Sequence, residues 1–279
     1  MKRNDIVLLD GAMGTKLWEK AANKVPVWRY NIENPAIVSE VTREYVAAGS
    51  QIVQANTFGA NRYAVQNSGH SAADVVAAGV RLAREAAQGQ AKVALSVGPL
   101  SVLMEPYGDL TEEEAGEIFD EQIAPGVAEG ADLITFETFM DADMLRVAVE
   151  AAARHGLPIL ATMTFTEVGK TIMGHSVERF VEAMDGLPLT AVGINCSLGP
   201  EKALPVLASF EQFTSLPLIF KPNAGKPVTE NGETHVEYDA DTFVADCLPA
   251  LEHNVKYIGG CCGSSPDYIR AMREKIFGA

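Results

Sequence analysis

Cys261 and Cys262 stand side by side near the end of the chain, Cys196 lies well upstream, and Cys247 completes a set of four cysteines. An ionised thiol is a strong ligand for a borderline-soft metal ion, and coordination removes its proton outright. Three thiolates on one ion leave the fourth position of a tetrahedral site open, as a catalytic centre requires. The spacing alone does not define such a site, because no C-x2-C pair is present. A lone cysteine is more often a small buried apolar residue. Cys247, inside the helical pattern FVADCLPAL, reads as core. Asp10 and Glu137 each close an apolar run and read either as solvated charges or as polar groups of a site. His70, His155, His175, His235 and His253 do not cluster with these residues, which argues against a serine-hydrolase triad.

The elements that must bring these residues together are legible as short apolar runs at 6–10, 52–57, 92–98, 133–138, 158–165, 191–196, 218–224 and 257–262. Runs that are apolar throughout, rather than alternating, suit parallel strands covered on both faces. Amphipathic stretches separate them. Asn34-Pro35 opens one, Ile37, Val38, Val41 and Tyr45 line its face, and Gly49 ends it. Thr111 with Glu114 fits a capping box, and Asp141, Ser176, Asp241 and Ser265 are further expected caps. Eight strands, most followed by a helix, predict a single-domain α/β fold over residues 1–279, a (β/α)8 TIM barrel. The alternative, an open doubly wound sheet, calls for GxGxxG after the first strand, where this chain has DGAMGT. In a barrel the strands' carboxyl ends share one face. That face collects Asp10, Asn56, Thr57, Glu137, Thr138, Asn195, Cys196, Asn223, Cys261 and Cys262. The polar stretch 225–239 reads as a surface loop or a mobile loop over the site.

The chain has 279 residues, with 47% hydrophobic and 21% charged, a composition suited to one large core. A net charge of −15 argues against nucleic acid, whose phosphates need a basic footprint. Four cysteines are too few for a disulfide scaffold in a chain this long. The first ten residues are too short for a signal peptide, and no apolar run reaches the ~18 residues of a membrane span. A cytoplasmic protein with no membrane partner is the expectation.

Several motifs carry a family resemblance: LDGAMGT at 9–15, QANTFGANR at 54–62, SVGPL at 96–100, GINCSLGP at 193–200, KPNAG at 221–225 and GGCCGSSP at 259–266, with Asn31–Pro35 and Glu137-Thr138 between them. The chain resembles the homocysteine S-methyltransferases, a family of zinc-dependent (β/α)8 barrels, over nearly its whole length. EPYGDLT at 105–111, NTFGANR, and Gly263 after the cysteine pair are similar to the homocysteine-binding module of cobalamin-dependent methionine synthases.

The resemblance implies an enzyme that moves a methyl group to the thiol of homocysteine, giving methionine. It implies Zn2+ held by Cys196, Cys261 and Cys262, with Asn223 near the metal as a fourth ligand when substrate is absent. Asp10 and Glu137 would hold the substrate ammonium. The amides of Gly11 and Ala12, with Thr57, would face its carboxylate. No catalytic residue beyond the metal site is expected, since the metal displaces the thiol proton. The chain has no stretch to spare for folate or cobalamin domains, so the expected donor is a separate corrinoid protein, or methylfolate acting through one. S-methylmethionine or S-adenosylmethionine is the alternative donor. A non-catalytic binding protein with a structural zinc site is the alternative of another class.

Overall fold

The computed structural model describes residues 5–225, 227–230, 233–236 and 238–278. Ten strands form among them: β1 (Val7–Leu8), β2 (Ile52–Gln54), β3 (Lys92–Val97), β4 (Leu133–Phe139), β5 (Ile159–Met163), β6 (Leu189–Asn195), β7 (Leu218–Lys221), β8 (Pro227–Glu230), β9 (Glu233–Val236) and β10 (Val255–Ile258). All but β8 and β9 are parallel and follow one another as β1-β10-β7-β6-β5-β4-β3-β2. Helices cover the outside, among them Pro35–Ala48, Ala72–Ala87, Glu112–Ala128, Ala142–Ala153, Pro200–Ser209 and Pro266–Phe277. This is the expected (β/α)8 barrel.

The seam between β1 and β2 is closed partly by side chains. Gln51 N–H donates to Leu8 O at 2.8 Å, Leu8 N–H donates to Gln51 Oε1 at 2.9 Å, and Gln54 N–H donates to Asp10 Oδ2 at 2.6 Å. Asp10 is therefore part of the wall as well as part of the rim.

Two apolar cores result. The larger lies between strands and helices. The smaller plugs the barrel with Leu9, Ile52, Ala94, Leu133, Leu160, Ala191, Ile219 and Tyr257, one from each strand or its continuation. Side chains two residues apart on a strand share a face. Advancing two positions from the plug thus lifts the inner file to Gln54, Ser96, Thr135, Thr162 and Lys221, all buried, and two more reach Glu137 and Asn195. The barrel interior is apolar below and polar above, and the polar layer is the floor of the site.

The expected start and stop signals hold in most cases. Thr111 and Glu114 form a reciprocal capping box, and Asp141, Ser176 and Ser265 each cap their helix through the side chain. Gly49 adopts φ +106 at the end of Pro35–Ala48, a left-handed conformation that suits glycine. Asn34 stops that helix's neighbour without a side-chain cap, leaving Pro35 at the first turn as the start signal. Asp241 is not a cap. It sits inside the first turn of Ala240–Cys247, and Asp239 accepts the Thr242 N–H instead. The strands are shorter than the apolar runs, so Asp10, Thr57, Asn223 and the Cys261-Cys262 pair follow the paired segments instead of ending them. The stretch 225–239 holds the antiparallel hairpin β8–β9; positions 226, 231, 232 and 237, and the His235 side chain, lie outside the described residues.

Candidate active site

Cys196 leaves β6 with φ +61 and Ser197 follows at φ +64, a left-handed pair that L-residues seldom adopt. The turn is held by Cys196 N–H to Lys221 O at 3.1 Å and Leu198 N–H to Cys196 O at 2.7 Å. The segment after β10 is zipped to its neighbours by Cys261 N–H to Pro222 O and Ala224 N–H to Cys262 O, while Ser264 Oγ donates to Cys261 O. These bonds bring the Sγ atoms of Cys196, Cys261 and Cys262 within 4.8 Å of one another. Cys196 Sγ and Cys262 Sγ stand 3.7 Å apart. Tetrahedral zinc with bonds of about 2.3 Å sets its sulfur ligands about 3.8 Å apart, so the thiols fit such an ion.

Contacts among the three thiols dominate their protonation. Cys261 lowers and Cys262 raises the Cys196 pKa, burial adds to the rise, and the result is about 11. Cys261 and Cys262 are pushed up to about 12 by the same mutual contacts and burial. Without a metal the cluster stays protonated at neutral pH, so loading it must release protons. Asn195 braces this cluster. Its Oδ1 accepts from Thr138 N–H and Thr162 Oγ1, both at 2.8 Å, and its amide donates to Thr138 Oγ1 and lies 3.8 Å from Cys261 Sγ.

Beneath the thiols lies a buried ionic trio. Lys221 Nζ donates to Gln54 Oε1 at 2.8 Å and lies 3.4 Å from Glu137 Oε2 and 3.5 Å from Asp10 Oδ1. Ser96 Oγ donates to Glu137 Oε1 at 2.7 Å. Burial works against the Lys221 ammonium, but the Glu137 and Asp10 carboxylates outweigh it and hold the proton on firmly. Burial pushes Glu137 up, yet Lys221 and the hydrogen bonds to its carboxylate bring it below its ordinary value. For Asp10 burial wins, and its pKa rises to about 6.

A cavity of about 330 Å³ opens at the barrel mouth, bounded by the three cysteines, Glu137, Lys221, Gly11, Ala12 and apolar walls that include Trp18 and Phe58. The structure thus brings together Cys196, Cys261, Cys262, Glu137, Gly11 and Ala12. Asp10 lies one layer lower, at 1% exposure, facing a void of about 20 Å³ shared with Gln54, Glu137 and Lys221. Thr57 lies behind the wall, its hydroxyl donating to Ser96 O and accepting from Ser96 N–H. The Ala12 N–H is taken by Ser264 Oγ at 3.2 Å. Asn223 sits between the two cysteine loops, its N–H bonded to Leu198 O, and its buried Oδ1 has no hydrogen-bond partner among the described residues. Asn195, expected on this face from sequence, lies on it; Lys221, Gln54 and Ser96 are not singled out by the sequence, and the signal that finds them is their strand parity with the plug residues. A second cluster, Asp141, Asp143 and His175, is a capping arrangement: Asp141 caps the helix, and His175 Nδ1 accepts the Ala142 N–H.

A (β/α)8 barrel with three convergent thiols and a buried carboxylate at its mouth defines a class of barrel enzyme built around a metal-ready site. The family model described as homocysteine S-methyltransferase matches residues 7–276, and the chain belongs to that family. It is 27% identical to the methionine synthase of Mycobacterium leprae (strain TN) over 97% of its own length, and spans 24% of that relative. The homocysteine methyltransferase MmuM of Escherichia coli, in its oxidised and metallated crystal forms, superposes with a TM-score of 0.81 at 25% identity, covering 97% of this chain and 96% of that one. The carboxyl transferase domain of Rhizobium etli pyruvate carboxylase, at 13% identity and a TM-score of 0.56, shares the fold alone. Among the described residues no helix is long and apolar enough to cross a membrane.

Proposed function

We propose that this protein transfers a methyl group to the thiol of homocysteine, giving methionine, with Zn2+ held by Cys196, Cys261 and Cys262. The observation that carries the reading is the convergence of three Sγ atoms at the mouth of the same cavity that Glu137 lines. A metal ion there supplies the Lewis acid that lowers the acceptor thiol's pKa. The rest falls to the chain. Glu137, oriented by the Ser96 hydroxyl, takes the acceptor's ammonium, and Asp10 strengthens that field from below. Gly11 and Ala12 border the acceptor's backbone end, and Thr57 positions the β2 loop through Ser96. Asn223, with its orphaned Oδ1, is suited to complete the metal's shell before substrate arrives. Asn195 steadies Cys261. Anchors at both ends of the acceptor measure its length, so cysteine, one methylene shorter, is disfavoured by about 1–3 kcal/mol. The ionised sulfur attacks the methyl carbon in line. The S–C bond forms as the donor's bond to that carbon breaks, with the bonding pair left on the donor, and no general base is needed in that step.

A corrinoid protein is the proposed methyl donor, supported by the resemblance to methionine synthase. A small sulfonium is the second reading. Trp18 and Phe58, half-exposed at the cavity wall, are aromatic residues of the kind that attract a cation. Cobalt-substituted protein titrated with homocysteine tests the acceptor: the ligand-field bands are expected to shift. An unchanged spectrum would sink the open-site reading and favour a structural metal in a non-catalytic protein. With homocysteine fixed, turnover of methylcobalamin against S-methylmethionine and S-adenosylmethionine then decides the donor.

A further inference from the structure

The amino ends of the parallel strands share the face opposite the thiols, and a second cavity, of about 630 Å³, opens there. Its lining is drawn from the starts of β1, β2, β3 and β10 and carries Arg84, Lys92, Asp132 and Lys256 as its charged residues. Arg84 lies 4.0 Å from Asp132, whose Oδ2 also accepts the Val93 N–H at 2.8 Å, so the charges of that pair offset each other. Lys92 and Lys256 have no carboxylate partner among the described residues. Lys256 Nζ stands 5.7 Å from the centre of the Tyr257 ring. We propose that this cavity binds a small dianion between the Lys92 and Lys256 ammoniums, with one of its oxygens accepting the Tyr257 hydroxyl. The inference stands apart from the homocysteine reading above.

Tyr257 is the residue that points to a ligand. It belongs to the plug of the barrel and is 7% exposed, yet it lines this cavity, and its hydroxyl has no hydrogen-bond partner among the described residues. A buried hydroxyl left without a partner costs free energy, and an acceptor entering the cavity recovers it. Burial pushes the Tyr257 pKa above the ordinary phenol value, so the group keeps its proton and can donate. Charge sets the sign and number of the ligand's own. With Arg84 and Asp132 offset, two ammoniums remain, in a chain whose net charge is −15. Gln51 also lines the cavity, and its Oε1 is occupied by the Leu8 N–H, which leaves its amide donors as what it can offer. A neutral or cationic ligand would leave both lysines unmet. Phosphate esters and dicarboxylates each supply two charges and several acceptor oxygens.

Calorimetric titration of the metal-loaded protein with glycerol 3-phosphate and with succinate tests the site, with neutral glycerol as the control. At least one dianion is expected to bind saturably, one per chain, and glycerol is not. Tighter binding of glycerol 3-phosphate identifies a phosphate ester as the ligand class, and tighter binding of succinate a dicarboxylate. Lys92→Gln and Lys256→Gln should each weaken the dianion about 2- to 5-fold, the range of a partly exposed ion pair, and together by about 10-fold or more. Tyr257→Phe keeps the plug filled and should weaken it roughly 3- to 10-fold through the lost hydrogen bond. If that variant does not fold, the two lysine changes, on side chains outside both cores, carry the test. No binding of either dianion up to about 10 mM overturns the proposal. So does binding that the double lysine variant leaves undiminished, or that homocysteine displaces, since both results would put the anion at the mouth of the barrel. A loss in the lysine variants with none in Tyr257→Phe removes the hydroxyl from the site and overturns that part of the assignment.

Discussion

Asp10 illustrates how one side chain can serve both the wall and the site. One oxygen closes the barrel seam through Gln54 N–H; the other lies 3.5 Å from Lys221. Burial lifts its pKa to about 6 against the pull of Lys221 and the Gln54 amide, with Glu137 adding to the rise. The sign of the effect on binding follows. Above that pH Asp10 is ionised, and the trio of Asp10, Glu137 and Lys221 carries one net negative charge to meet one substrate ammonium. As pH falls through about 6 Asp10 takes a proton, the trio becomes neutral, and ammonium binding weakens. The KM for homocysteine is therefore expected to rise as pH drops from 7 to 5. Asp10→Asn keeps an acceptor for the Gln54 amide but removes the charge. That variant should show a KM raised about tenfold at pH 7, the scale of one weakened charge-assisted contact, and no inflection near 6. A wild-type KM that stays flat across this range, measured at saturating donor, would remove Asp10 from the binding field.

At the scale of elements, the site depends on the pairing of β6 with β7, because Cys196 leaves one strand and Lys221 ends the other. Gly193 pairs with Ile219 across that boundary. A Cβ at Gly193 would stand 2.0 Å from Ile219 O, a backbone atom that can yield only if the strands part. Gly193→Ala is expected to lower the urea midpoint by an amount equivalent to about 1–3 kcal/mol and to weaken metal binding beyond what Gly193's distance from the thiols suggests. A variant with wild-type stability and metal affinity would show that this boundary is compliant. The same elements mark what the sequence could and could not tell. The eight strands were legible because a strand buried on both faces is apolar throughout, and the cysteines were legible because they follow such runs within recognisable motifs. The strands end earlier than expected: at 6–10 Leu9 carries the apolar character past the backbone pairing, and at 218–224 the pairing stops at Lys221, before Pro222. The hairpin β8–β9 falls in a stretch that reads as a loop, because its residues are polar and its pairing is local. Lys221 is not distinguished by its residue type, because a charge near a strand end can face the rim or the interior. Only its parity with Ile219, the plug residue two positions earlier, turns it inward.

For the whole molecule the question is whether metal binding and folding are one event or two. Small domains that depend on structural zinc lack a core that can stand without it. This barrel has two apolar cores, and the smaller alone draws on every strand of the barrel. The three thiols lie above both, on loops whose backbone bonds to neighbouring segments do not involve the metal. The barrel should therefore fold without metal, and metal should stabilise it only by binding to the folded form. Chelated protein is expected to keep its far-UV circular dichroism and to unfold cooperatively. Zinc at about a thousandfold excess over its dissociation constant adds roughly 4 kcal/mol, and in a chain of this size that corresponds to a Tm increase on the order of 10 °C. Cys196→Ser should fold with the Tm of the chelated wild type and lose most of the increase, because two thiolates hold the ion far less tightly than three. The increase should also grow with pH, since the free thiols sit at about 11 to 12 and each must lose its proton to bind. Collapse of the circular dichroism spectrum on chelation would reverse the order of events, making the metal part of the fold and the thiol cluster a structural centre.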